Sequence, residues 1–173
     1  MIALVPDLHD IVQQRVRGLA IVSSQGPDYD TSHSEPAWPG WIFVSIPGRG
    51  VRGALRLAEG VIHEAMHHNL TALEHQLPLT LSDDAIYSPW KQETRTASGV
   101  LHGLYVFVCL AAYFHQICRQ ACVGDASRAR IAAILEEVAS IDRARLEAAL
   151  SESGLRFCQA LYDSAMFLRS NHG

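Results

Sequence analysis

The spacing of hydrophobic residues along the chain predicts a mainly α-helical protein. Over residues 52–77, apolar side chains recur every three or four positions, which is the period of a helix with one buried face. Residues 97–123 form a second and more apolar segment of this kind, and Pro78 and Gly124 are expected to end these two helices. We expect helices over residues 8–17, 52–77, 97–123, 131–141, 142–151 and 155–168. Gly154 is expected to separate the last two of them.

Two short apolar runs near the N-terminus predict strands instead of helices. Residues 19–22 and 41–46 are rich in β-branched, aromatic and other apolar side chains, and Ser, Gly and Pro follow each of them. Residues 79–96 contain several polar and turn-forming residues, so we expect a loop there. The sequence therefore predicts a single compact helical domain over residues 1–173, with a small β element near its N-terminus.

The composition excludes several classes of protein. The chain has 173 residues, of which 49% are hydrophobic, and its net charge is only −4, so it is not a disordered protein. The 14 basic residues are outnumbered by 18 acidic ones, which gives no positive surface for nucleic acid or an anionic membrane. Residues 99–118 are long and apolar enough to cross a membrane, but they contain two histidines and Gln116, so we expect a core helix.

The cysteines favour a reducing compartment. No CxxC pair occurs, and three of the four cysteines lie in one apolar stretch, which is typical of buried thiols in a cytoplasmic protein. The first ten residues are acidic and lack the basic start of a signal peptide. We therefore expect a cytoplasmic protein with four reduced cysteines, Cys109, Cys118, Cys122 and Cys158.

The strongest chemical signal is an HExxH motif, His63-Glu64-Ala65-Met66-His67, inside the first long helix. Residues four apart lie on the same face of a helix, so two imidazoles can bind one metal ion with Glu64 beside it. The histidines fall at the edge of the apolar stripe, where a half-buried site is expected. That stripe consists of Leu55, Ile62, Met66, Leu73 and Leu77.

A third ligand is expected from the second long helix, which contains His102 and His115. These two residues are 13 positions apart, or roughly 220° around a helix, so only one of them can face the same ion. Gly99 and Gly103 flank His102 and would allow a neighbouring helix to approach closely, which favours His102. His68 and His75 point elsewhere on their helix and are expected to be surface or supporting residues.

Two protease classes can be compared with this spacing. A metzincin requires Gly and His at positions that hold Leu70 and Leu73, so that class is excluded. A gluzincin takes a third zinc ligand from a later glutamate, for which Glu93 is the candidate. A zinc metallopeptidase of gluzincin type, with Glu64 as general base, therefore remains the alternative.

Lys91 and Arg95 bring two positive charges to the start of the helix that carries His102. A guanidinium group there could bind a carboxylate through two hydrogen bonds, and the amides at the helix N-terminus favour the same anion. The alternative is a solvated basic pair that offsets nearby acidic residues, Asp83, Asp84 and Glu93. On charge alone, the solvated basic pair is the favoured interpretation.

Three sequence blocks together carry a resemblance to a known family. HEAMHH, YSPWKQETR and GVLHGLYVF occur in this order within about residues 41–123, and as a set they are far more specific than HExxH alone. The chain resembles the HExxH-motif family of peptide-modification proteins, which occur with peptide natural-product pathways. Characterised relatives are iron(II)- and 2-oxoglutarate-dependent hydroxylases that act at the β-carbon of amino-acid residues.

The resemblance implies a specific set of site residues. It implies His63, His67 and His102 as iron ligands, and Arg95, together with Lys91, as the anchor for a 2-oxoglutarate carboxylate. Three protein ligands leave positions on iron for the keto acid and dioxygen, and Glu64 could then orient an iron-bound group. The expected partner is an amino acid, a peptide or a related small molecule, and a homodimer is compatible with the small size. A non-catalytic helical binding domain is the remaining alternative.

Overall fold

The computed structural model describes residues 1–24, 26, 30–35, 37–46 and 48–171. Helices make up 61% of the structure, which confirms the mainly α-helical prediction. The helices are α1 (Pro6–Arg15), α2 (Gly50–Glu74), α3 (Ala97–Ile117), α4 (Gly124–Ala139), α5 (Arg143–Ala148) and α6 (Glu152–Asn171). The strands are β1 (Gly18–Val22), β2 (Ser32–Ser34), β3 (Trp41–Ser45), β4 (Ala85–Ser88) and β5 (Glu93–Thr96).

Helix α3 lies at the centre of the fold. It packs against α2, α4, α5 and α6, and residues such as Leu101, Leu104 and Tyr113 are completely buried. Among the described residues, α3 alone has the length and composition of a membrane span. Of its most apolar stretch of 18 residues, 61% is buried inside the protein. Most of this stretch of α3 is therefore covered by neighbouring helices, as expected for a core helix.

A three-stranded sheet covers one side of α2. The strand order is β1-β3-β2, with β1 parallel and β2 antiparallel to β3. Ile42 and Val44 of β3 are buried against the helical core. The predicted strands β1 and β3 are confirmed, whereas β2 was missed because its sequence, Ser-His-Ser, has no hydrophobic alternation.

The prediction of a loop over residues 79–96 is wrong. Strands β4 and β5 form an antiparallel hairpin there, in which Ala85 pairs with Thr96 and Ser88 with Glu93. The hairpin contacts α3, and its turn includes Gln92 with a φ of 53°. Because most of its side chains are polar or exposed, the segment has little of the apolar signal that identifies a strand.

Several helix ends differ from the prediction; for example, α4 begins at Gly124, whereas the expected helix began at residue 131. Helix α3 ends at Ile117, six residues before the expected position 123. Helix α6 begins at Glu152 and continues through Gly154, which was expected to end the preceding helical segment before the last helix began. A Cβ atom at position 154 would lie 2.0 Å from the carbonyl oxygen of Leu79, so this glycine allows two backbones to touch.

The buried face of α2 also differs from the predicted stripe at its C-terminal end. Leu55, Ile62 and Met66 are buried as expected, but Leu73 and Leu77 are 38% and 42% exposed. Helix α2 ends at Glu74, so Leu77 lies beyond the end of the helix. The predicted reduced state of the four cysteines is consistent with the structure, in which all four are unpaired thiols.

Candidate active site

A cavity of about 530 Å³ lies between α2, α3, strand β2 and the β4–β5 hairpin. It brings together all of the candidate site residues, although these are spread over 40 positions of the sequence. Its lining includes the six predicted residues His63, Glu64, His67, Lys91, Arg95 and His102. Ser32, Ser34, Trp90 and Phe107 also line it, and sequence reasoning assigned none of these four to the site.

His63 and His67 face each other across one turn of α2. Their Nε2 atoms are 3.2 Å apart, and both side chains are half-buried. Two nitrogens bound at right angles to one metal would be about 3 Å apart, given metal–nitrogen bonds of about 2.1 Å. The HExxH spacing therefore produces the pair of adjacent imidazole nitrogens that a metal site requires.

Both imidazoles are neutral at neutral pH. Burial is the largest of the effects that together lower the pKa of His67 to about 3, and the neighbouring His63, His102 and Lys91 act in the same direction. Burial also lowers the pKa of His63, although the negative charges of Glu64 and Glu59 oppose this shift. A metal binds the neutral form of histidine, so these environments favour ligation.

His102 lies beside this pair but faces a different nitrogen of His67. The Nδ1 atoms of His67 and His102 are 3.3 Å apart, with their rings stacked at 5.5 Å, whereas Nε2 of His67 faces His63. The other nitrogen of His102, Nε2, donates a hydrogen bond of 2.7 Å to Glu74. In the part of the chain that the structure describes, no three His, Cys, Asp or Glu side chains are arranged to hold one metal ion. The three imidazoles are thus gathered, but they do not converge on one point.

Glu64 is only 6% exposed and is held by two serines of β2. Ser32 Oγ donates to Oε1 at 3.1 Å, and Ser34 Oγ donates to Oε2 at 3.0 Å. Residues two apart point to the same face of a strand, so the Ser-x-Ser spacing places both hydroxyl groups on one carboxylate. This alternation of two serines was the available sequence signal, but three polar residues do not predict a strand.

The β4–β5 hairpin carries the two cations of the cavity. Arg95 Nη1 forms an ion pair of 3.0 Å with Glu93, and both side chains are about half exposed. Lys91 has no ion-pair partner within the described residues, and its charge lowers the pKa of His63 and His67. Glu93, the candidate gluzincin ligand, does not line the cavity. Lys91 is therefore the cation whose charge is least compensated by the protein.

Trp90 closes the wall of the cavity between the hairpin and α3. A Cβ atom at Gly103 would lie 2.6 Å from the Trp90 ring, so the glycine allows the indole to lie directly on the helix. The expectation that Gly103 admits a neighbouring helix is therefore wrong, since a side chain from the hairpin occupies this space. The indole stacks on Phe107 at 4.8 Å, and Phe107 contacts the edge of His63 at 5.6 Å.

The remaining described histidines have other positions. His115 lines a separate cavity of about 390 Å³ between α3 and α6, where it contacts Phe167. His75 is exposed, and neither His75 nor His68 lines the candidate site. His33 does line it and stacks on Phe43 at 5.1 Å, which the sequence did not indicate.

A scan of the sequence against protein-family models gives no match, and a search of curated proteins gives none either. The likeness of the three motif blocks to the HExxH family therefore stays a resemblance. The function has to be inferred from the residues of the cavity.

Proposed function

We propose that the protein is a soluble, non-haem iron(II)- and 2-oxoglutarate-dependent oxygenase. Its substrate would be an amino acid, a peptide or a related natural-product intermediate, hydroxylated at a C–H bond, with the β-carbon as the expected position. The observation that carries the proposal is a single cavity that contains three adjacent imidazoles and two cations. The four unpaired thiols favour a cytoplasmic location.

The donor types suit iron(II), although the described imidazoles are close together without converging on one point. His63, His67 and His102 would hold the metal, because imidazole is a preferred ligand of this ion and the two histidines of α2 are unprotonated at neutral pH. Glu74 takes one nitrogen of His102, which leaves Nδ1 for a metal. When bound, iron(II) together with 2-oxoglutarate and dioxygen supplies the oxidation of a C–H bond.

The surrounding residues have distinct tasks in this proposal. Lys91 and Arg95 would bind a carboxylate of the keto acid. The stacked rings of Trp90 and Phe107 form an apolar wall that excludes water from that side. Glu64 offers a fixed hydrogen-bond acceptor beside the histidines, because two serines hold its carboxylate in place.

One observation weighs against a zinc peptidase of gluzincin type. Glu93, which would be the third ligand, pairs with Arg95 and lies outside the cavity wall. The oxygenase is therefore the better-supported function.

The test is an anaerobic titration of the purified protein with iron(II) and 2-oxoglutarate. A keto acid bound to iron gives a weak visible charge-transfer band, which should appear for the wild type and for His115→Ala. The band should be lost in His63→Ala and His102→Ala. If His102→Ala keeps the band while His63→Ala loses it, His102 orients His67 instead of binding the metal.

The competing functions give different results. The absence of any band, combined with tight zinc binding and a peptidase activity that Glu64→Gln abolishes, would replace the oxygenase with the peptidase. A protein that binds neither metal would be a non-catalytic helical binding domain.

A further inference from the structure

A second cavity, of about 370 Å³, adjoins the candidate active site. The two cavities share Ser32, His63 and Phe107, so a molecule in the second cavity would lie against a histidine of the HExxH motif. Its remaining walls come from α2, α4, strand β3 and the residues before β2. The proposed function assigns no role to this space.

An ion pair between α2 and α4 forms part of the wall. Arg130 Nε donates to Glu59 Oε1 at 2.8 Å, and the guanidinium lies over the Phe107 ring at 5.6 Å. The two charged side chains are 31% and 25% exposed, so they are partly withdrawn from water without being sealed off. Charged groups in such a position interact more strongly with a ligand than fully exposed ones do.

The Arg130–Glu59 pair retains hydrogen-bonding capacity. A guanidinium has five N–H donors, and within the described chain only Nε of Arg130 has an acceptor. Glu59 likewise uses one of its two carboxylate oxygens in this contact. The same residues can therefore hold each other and still receive a carboxylate and an ammonium group from a ligand.

The charges around the cavity are balanced. A second ion pair, between Arg56 and Asp30, lines the same space. Two arginines and two carboxylates together have no net charge, which favours a ligand that is itself neutral overall but carries both signs. The volume is near the lower end of the roughly 300–1,000 Å³ of small-molecule sites, so it suits one small molecule better than an extended peptide.

We propose that this second cavity binds a free α-amino acid as its zwitterion. Arg130 receives the carboxylate, Glu59 receives the ammonium group, and Phe107 and Val44 contact the side chain. That this molecule is the one hydroxylated rests on the proposed function, whereas its binding does not. Among the substrate classes considered above, the geometry thus favours a free amino acid over a peptide.

The experiment is isothermal titration calorimetry of the metal-free protein with each of the twenty standard L-amino acids. The N-acetyl and carboxamide forms of the tightest ligand are then titrated, because the first removes the positive charge and the second removes the negative charge. Arg130→Gln should weaken binding of the amino acid and of its N-acetyl form, because both ligands keep the carboxylate. The expected loss is roughly 10- to 100-fold, the effect of deleting a hydrogen bond to a charged group. Glu59→Gln should weaken the amino acid and its carboxamide form, but not the N-acetyl form.

Arg128→Gln is the matched control, because Arg128 lies on the same helix, pairs with exposed Asp125 and does not line the cavity. Thermal unfolding of every variant checks its fold. If Arg130→Gln does not fold, Arg130→Lys replaces it and should give a smaller loss, because lysine keeps the charge but not the planar guanidinium.

Three results would overturn the proposal. These are no amino-acid binding at millimolar concentration, binding that neither Arg130→Gln nor Glu59→Gln alters, and binding that Lys91→Gln removes instead. The last result would assign the amino acid to the first cavity. Because no metal or keto acid is present, failure of the oxygenase proposal would leave this titration unaffected.

Discussion

Glu74 on α2 accepts a hydrogen bond of 2.7 Å from His102 on α3. Both side chains are mostly buried, so the carboxylate fixes the orientation of the imidazole between the two helices. The other nitrogen of the His102 ring, Nδ1, lies 3.3 Å from Nδ1 of His67. A residue 11 positions after the first histidine of the motif therefore helps to organise the candidate metal site.

Replacing Glu74 with Gln should weaken iron(II) binding. A carboxylate on the outer nitrogen of a metal-binding histidine makes the ligand more basic, and its loss typically costs roughly 10- to 100-fold in affinity. Anaerobic metal titration measures this effect. Glu152→Gln, in an exposed ion pair on α6, is the control and should bind iron as the wild type does. Equal affinities for the Glu74 variant and the wild type would contradict the prediction.

Replacing Lys91 with Gln should raise the dissociation constant for 2-oxoglutarate more than replacing Arg95 does. Within the described residues Lys91 has no ion-pair partner, whereas Glu93 already neutralises Arg95. We expect roughly a 10- to 100-fold change for Lys91→Gln, the size expected for a lost charged hydrogen bond. Titration of the charge-transfer band with 2-oxoglutarate measures both values. A larger effect of Arg95→Gln would make the guanidinium the main anchor.

Removing the hydroxyl groups that hold Glu64 should destabilise the protein. Ser32→Ala and Ser34→Ala each leave one buried carboxylate oxygen without its donor, at a cost of about 1 to 3 kcal/mol in the free energy of unfolding. Urea unfolding measures the loss. In a Glu64→Gln background the same substitutions should cost less, because the charge is gone. Ser98→Ala, at another position of the cavity wall, is the control.

A methyl group at position 103 should disturb the wall formed by Trp90. Gly103→Ala places Cβ 2.6 Å from the indole, and overpacking of this kind costs about 1 to 3 kcal/mol, partly offset by the better helix propensity of alanine. Gly99→Ala, earlier in the same helix, meets Thr96 Oγ1 at 3.3 Å and should cost less. Urea unfolding compares the two variants, and tryptophan fluorescence should change only in Gly103→Ala. A more damaging substitution at Gly99 would refute this account of the wall.

Acid should destabilise the metal-free protein through His67. The pKa of this group is about 3 when folded and about 6.5 when unfolded, so between these pH values the unfolded chain binds a proton that the folded chain does not. Stability therefore falls as the pH is lowered from about 6.5 towards 3, by at most about 1.4 kcal/mol per pH unit for this proton. Unfolding by urea at pH 7, 6, 5 and 4 should show a smaller loss in His67→Gln than in the wild type. Equal slopes would contradict the assignment.

The helical part of the fold follows closely from the sequence, because strong apolar periodicity identifies α2 and α3. The missed elements are those without such a signal. Strand β2 is made of two serines and a histidine, and it is held by its pairing with β3 and its contacts with α2. Gly154 shows the same limit, since its tertiary contact with Leu79 overrides its tendency to end a helix.

The candidate site likewise consists of residues that the sequence indicated and residues that only tertiary contacts bring in. The HExxH spacing and the motif blocks indicated six residues, and the structure brings all six to one cavity. Sequence did not indicate Glu74, and the alternation of Ser32 and Ser34 was too short a signal to predict a strand. Each of these residues contributes through a hydrogen bond to a residue that is distant in the chain. The sequence also could not show which nitrogen of His67 faces His102, since ring orientation depends on packing.

The contact between residue 79 and Gly154 also joins distant parts of the chain. Ser151 N donates to the carbonyl of Leu79 at 2.9 Å, and Leu81 N donates to the carbonyl of Ala149 at 2.8 Å. These bonds tie the segment between the HExxH helix and the hairpin to the start of the last helix. We expect these two hydrogen-bonded segments to open together with the core as one cooperative unit. The amide protons of Leu81 and Ser151 should then exchange with solvent as slowly as those of α3. The backbone that supports the site would then gain its rigidity from a part of the chain that never touches it.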